Sequence, residues 1–177
     1  IFTKILRKIK KIIYISRSKK IAKLLRKILG KKRIYIVDVG AGHRFLPTLL
    51  NFDGVSKIAM VDPNDNLNLS YKNFIKILDY PQNISQFSLG ISNKTKKIKY
   101  FQTKVSTGST MVNIYKNAKK NKIKLDEKYF GEKNLSIIQT YSYDDFKSNF
   151  FNKIPDVVKI DVEGYEVQVL KSLLKKN

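Results

Sequence analysis

The sequence predicts an α/β domain built on a mostly parallel sheet, and three observations carry that expectation. Strand-length runs rich in β-branched residues, Ile34 to Val39 and Pro155 to Asp161, end in turns bearing glycine or acid. Between and after them, apolar runs and helix-forming stretches alternate as β-α-β-α-β, the order that right-handed crossovers convert into parallel strands. Finally, 42% of the 177 residues are apolar, enough for one core of ordinary domain size.

In chain order, Ile34-Tyr35-Ile36-Val37-Asp38-Val39 is the first strand, closed by Gly40-Ala41-Gly42. Leu46 to Leu50 reads as a helix with Pro47 in its first turn, where a missing N–H costs nothing. A second strand spans Lys57 to Val61 and ends at Asp62-Pro63, a helix spans about Leu67 to Leu78, and a third strand runs from Ile84 to Leu89. Lys97 to Gln102 alternates like an exposed antiparallel strand, and residues 113 to 134 read as a lysine- and asparagine-rich surface excursion. Leu135 to Thr140 restores a strand. Ser142 is then placed to cap a helix, with Asp145 at the capping-box position. The last strand leads through Val162-Glu163-Gly164 into a helix from Tyr165 to Leu174, whose Val167, Leu170, Leu173 and Leu174 are expected to face the sheet.

Charge is concentrated at the front. The whole chain carries a net +22, and residues 1–33 hold fourteen cations and no acid. The remainder holds 22 cations against 14 acids, a balance of +8. Apolar residues recur at helical spacing through Ile13 and again from Ile21 to Leu29, so residues 1–33 read as an arm of two basic amphipathic helices, the second ended by Gly30. The domain proper is residues 34–177. Such an arm can pack on the domain, touch anionic lipid or contact phosphates. Lysine outnumbers arginine 31 to 5, which disfavours a nucleic-acid partner, since bidentate phosphate and base recognition prefers arginine. The expected location is cytoplasmic, with the arm's apolar faces packed on the following domain and peripheral contact with an anionic membrane through residues 1–30 as the alternative.

Cysteine is absent and His43 is the single histidine, which excludes disulfides, thiolate metal centres, cysteine nucleophiles and multi-histidine metal sites. What remains is a set of acids and glycines at the carboxyl ends of strands, where open parallel sheets bind ligands. Asp38, Gly40, Ala41 and Gly42 form the first turn. Asp62 follows 22 residues after Gly40, about where an acid accepts hydrogen bonds from ribose hydroxyls. Asp161 and Glu163 form the third turn. A dinucleotide fingerprint would place a third glycine at Phe45, so the D-x-G-x-G form favours S-adenosylmethionine, which has no pyrophosphate, over NAD.

Together these segments resemble the FkbM-type S-adenosylmethionine-dependent methyltransferases over about residues 34–174. The resemblance rests on Val37 to Gly42, Val61-Asp62-Pro63, Ser88-Leu89-Gly90, Gly108-Ser109-Thr110, Tyr143 to Phe146 and, most specifically, Val158-Lys159-Ile160-Asp161-Val162-Glu163-Gly164-Tyr165-Glu166. It implies a Rossmann-like class I methyltransferase fold, incomplete in its C-terminal half, and O-methylation of a hydroxyl on a glycan or small metabolite. By the same resemblance Asp38, Gly40, Ala41 and Gly42 line the methionine end of the cofactor, Asp62 holds its ribose, and Ser88 and Leu89 flank its adenine. Asp161 then lies nearest the reactive methyl, with Glu163 ordering the turn or the acceptor.

Asp161 and Glu163 are the candidate bases, and His43 is a lesser one. The two carboxylates alone are too few ligands to argue for a metal. Lys159 is expected to pair with a neighbouring acid. Because the class fold continues beyond a fourth core strand, the sequence is expected to be the front part of a longer enzyme. Two rival readings are a non-catalytic module of degenerate methyltransferase fold that binds polyanions or membrane surfaces, and an NAD-dependent oxidoreductase.

Overall fold

Valine and isoleucine at alternate positions make Ile34–Val39 (β1) a strand that can bury both faces, and it lies inside the main sheet. The structure is a computed structural model, and it describes residues 20, 23–25, 27–30, 33–42, 55–64, 84–102, 111, 119–121 and 135–175. Its further elements are β2 (Val55–Val61), β3 (Ile84–Phe87), β4 (Gly90–Ile91), β5 (Lys96–Phe101), β6 (Leu135–Tyr141), α1 (Tyr143–Phe146), a π-helical turn (Lys147–Phe151), β7 (Val157–Ile160) and α2 (Glu166–Leu173).

The main sheet has the order β3-β2-β1-β7 and all three pairings are parallel, as the alternation of elements predicts. In register, Asp38 stands between Met60 of β2 and Lys159 of β7. Val37, Val39, Ala59 and Val61 face a core that includes Leu89, Ile91, Phe146, Phe151 and Val169. Ile34, Ile36, Ile58 and Met60 alternate with them on the opposite face and are also buried. Phe146 meets Phe87 edge-on with ring centroids 5.3 Å apart, and Tyr141 meets Phe150 in the same way at 5.0 Å.

A second, three-stranded sheet has the order β4-β6-β5. The antiparallel strand expected at Lys97 to Gln102 is β5, paired with β6 from Lys96↔Thr140 to Phe101↔Leu135. Strand β4 pairs parallel with β6 and is too short to stand out in the sequence. Ser142 caps α1 as expected: its Oγ accepts the Asp145 N–H at 3.2 Å and donates to the Asp145 carboxylate at 2.7 Å. Thr95 also donates to that carboxylate, and these two side-chain hydrogen bonds hold the Asp145 carboxyl below its ordinary range.

One expectation is corrected. In α2 the buried side is formed by Val169 and Ser172 with the partly buried Tyr165 and Leu173, whereas Val167 and Leu174 are 59% and 75% exposed and Leu170 is exposed as well. The reason is a hydrogen bond: Ser172 Oγ accepts the buried Tyr143 N–H at 2.6 Å, which turns a small polar residue inward and leaves Leu170 and Leu174 outside, while Leu173 stays partly buried. Residues 23–25 and 27–29 are helical, and Gly30 ends them with φ +61°, as the arm reading expects. The first arm helix, the helices expected near 46–50 and 67–78, His43, and all of the 113–134 excursion except residues 119–121 lie outside the described residues. Among the described residues no helix is long and apolar enough to cross a membrane.

Candidate functional site

The first turn is built by main-chain geometry that only glycine permits. Gly40 has φ +71°, and both Gly40 N–H and Ala41 N–H donate to Val61 O, at 2.9 and 3.2 Å, so the chain bends sharply over the end of β2. A Cβ on Gly40 would collide with the carbonyl of Asp161, lying 2.7 Å from its carbon. Close approach of the first and third turns therefore demands glycine here. Asp161 N–H donates to Val39 O at 3.0 Å, completing the junction.

Asp62 knits the first turn to the second. Its Oδ2 accepts Gly42 N–H at 3.1 Å and its Oδ1 accepts Asn64 N–H at 2.9 Å, while Asn64 Oδ1 accepts Gln102 Nε2 at 3.0 Å. These two bonds fix the carboxylate between the first and second turns. Asn64 and Gln102 escaped the sequence reading, because an isolated Asn after a strand and a Gln ending a distant one carry no shared spacing.

Asp38 is the most strained electrostatically. It is 0% exposed, and burial pushes its carboxyl up to about 6; Lys159 pulls the other way, and the charges of Asp62 and Asp161 add to the rise. The Lys159 ammonium lies 3.0 Å from Oδ1 and compensates the charge even without an aligned N–H vector, while Oδ2 has no hydrogen-bond partner among the described residues. The expected pairing of Lys159 with a neighbouring acid is thus present, with more besides. The same ammonium, 18% exposed, donates to Gly40 O at 2.7 Å and lies 3.5 Å from Asp161 Oδ2.

In the third turn Asp161 is 67% exposed, and Glu163 is exposed with φ +52°. Glu166 orders this turn: its Oε1 accepts Val162 N–H at 3.1 Å and Gly164 N–H at 3.2 Å. Partial burial pushes the Glu166 carboxyl up, but backbone N–H donors outweigh it and the net shift is downward. An acid in the first turn of a helix after a glycine turn was the available signal. Beyond β3, Ser88 is exposed at the sheet edge, while the Leu89 side chain is committed to the core. The structure thus joins Asp38, Gly40, Ala41, Gly42, Asp62 and Asp161 around one junction. Among the described residues no cluster of three or more His, Asp or Glu could hold a metal ion.

Three turns at the carboxyl ends of neighbouring parallel strands, with a buried carboxylate oxygen unpartnered among the described residues beneath a glycine bend, mark an α/β domain of the open-sheet type, whose ligands generally bind at such strand ends. The profile of the FkbM methyltransferase domain matches residues 38–177, and the chain belongs to that family. Among solved structures it is similar to methyltransferase FkbM from Methylobacillus flagellatus KT, with a TM-score of 0.51 and 17% sequence identity. That match covers 80% of this chain and 29% of the other, so the chain spans under a third of that protein's length, and at this identity the likeness is one of fold. No curated protein matches the sequence.

Proposed function

We propose that this domain binds S-adenosylmethionine and serves methyl transfer to a hydroxyl, on a glycan or a small metabolite. The observation that carries the reading is the buried Oδ2 of Asp38, unpartnered among the described residues beside the Gly40-to-Gly42 bend, a charge and a cradle suited to a ligand with a cationic end. Asp38, Gly40, Ala41 and Gly42 would hold the methionine end. Asp62 would hold the ribose diol, and the edge at Ser88 and Leu89 would flank the adenine. Since the Leu89 side chain lies in the core, the backbone there and Ser88 supply that contact.

When bound, the cofactor supplies an electrophilic methyl group on a sulfonium. The chain's own task is alignment and proton removal. Asp161, the more solvent-accessible partner of Lys159, would accept the hydroxyl proton, with Glu163 two residues further on in the same turn.

Calorimetry with S-adenosylhomocysteine tests the reading. Binding is expected, and Asp62→Asn, which keeps one acceptor oxygen, should weaken it by about 1 to 3 kcal/mol through lost charge-assisted hydrogen bonds. Absence of binding to the wild-type chain, or tighter binding of NAD, overturns the cofactor assignment.

A further inference from the structure

We infer that Lys159 is a positioning residue that ties the donor-binding turn to the turn carrying Asp161. This deepens the methyltransferase reading and rests on it. Lys159 and Asp38 are register partners on adjacent parallel strands, so their side chains rise side by side. An ammonium has three donors and no acceptor. Here three oxygens surround it: Gly40 O at 2.7 Å, Asp38 Oδ1 at 3.0 Å and Asp161 Oδ2 at 3.5 Å.

Charge neutralisation of Asp38 would need only one of those contacts. The other two reach opposite sides of the junction, the carbonyl of the bend and the carboxylate of the neighbouring turn. Main-chain bonds already pin the amides of Gly40, Ala41 and Asp161, but they leave the Gly40 carbonyl and the Asp161 side chain to be fixed otherwise. Lys159 fixes both. A single fixed cation thereby sets the spacing between the part of the site assigned to the donor and the part assigned to the acceptor, which in-line transfer needs to within fractions of an ångström. Held by one hydrogen bond and two ion pairs, Lys159 acts by position and Asp161 keeps the proton-accepting role.

The test is amide hydrogen exchange by NMR on the 177-residue chain. Lys159→Met alone would strand the buried Asp38 charge, so Asp38→Asn is compared with the double variant Asp38→Asn/Lys159→Met, in which that charge is absent. The double variant should exchange at least about tenfold faster at Ala41, Gly42, Val162 and Gly164 than Asp38→Asn does, with interior amides of β1 and β2 unchanged. Lys159→Arg, which keeps the cation, should leave those amides near wild-type rates. Saturating S-adenosylhomocysteine should slow Val162 and Gly164 in the wild type, although the ligand is assigned to the other turn.

Equal exchange in Asp38→Asn and the double variant overturns the tie, and so does ligand binding that leaves Val162 and Gly164 unaffected. If the wild type binds no S-adenosylhomocysteine, the cofactor reading fails, while the comparison without ligand still decides the role of Lys159.

Discussion

Replacing Asp38 by Asn should make the protein more stable at neutral pH. The carboxyl is fully buried, and its rise from 3.8 to about 6 already includes the compensation from Lys159. At about 1.4 kcal/mol per pH unit, that displacement means the ionised group costs the fold about 3 kcal/mol. The folded form holds a proton, between about pH 4 and pH 6, that the unfolded chain has released. Stability therefore falls as pH rises through that window and is level above it. Asparagine mimics the protonated carboxyl in shape and charge. Urea unfolding should show Asp38→Asn more stable by about 3 kcal/mol near pH 7.5, with the difference closing toward pH 4. A variant of equal or lower stability near pH 7.5, or one that keeps the wild-type slope between those pH values, would refute the reasoning. The expected companion is weaker binding of S-adenosylhomocysteine, the stability–activity trade-off of a site that keeps a buried charge for its ligand.

Two further substitutions probe the turns. Gly40→Ala combines a left-handed φ, which alone costs roughly 1 to 2 kcal/mol, with the collision against Asp161; it should abolish cooperative thermal unfolding, while Gly30→Ala, at φ +61° with nothing within 4 Å of the added Cβ, should melt within a few degrees of wild type. Glu166→Gln should speed proteolysis at the third turn. Because the folded-state carboxyl lies below its unfolded value, the wild-type advantage over the variant should be full above about pH 4.5 and fade as pH falls through the folded value, and a constant advantage down to about pH 2 would count against this role.

How legible this was in the sequence depended on how local each cause is. The runs Ile34–Val39 and Val157–Ile160 could be read because parallel strands favour apolar, β-branched residues, interrupted here only by Tyr35, Asp38 and Lys159. Ser142 could be read because its partner is three residues away. The face of α2 could not: Ser172 turns inward for a bond to Tyr143, 29 residues earlier, and no periodicity within the helix records that. In the site, Asp38 and Asp62 were marked by spacing from the glycines, yet the ring of oxygens around Lys159 draws on residues 119 and 121 positions away and emerges only once β1 and β7 lie in register. Asn64 and Gln102 were hidden for the same reason, their partnership spanning 38 residues.

Among the described residues β7 has β1 on one side and no hydrogen-bonded strand on the other. A sheet can be extended at such an edge without breaking any existing bond, whereas β1 and β2 are locked between neighbours. On the proposed reading, this divides the site by evolutionary freedom. The bend at Gly40 to Gly42 and the Asp62 network lie on interior strands, where each change disturbs two ladders. Asp161 follows the edge strand β7, and α2 after it exposes Val167, Leu170 and Leu174. On that reading, changes along the β7 edge leave the ladders of β1 and β2 intact, so the acceptor side can vary while the donor side stays fixed.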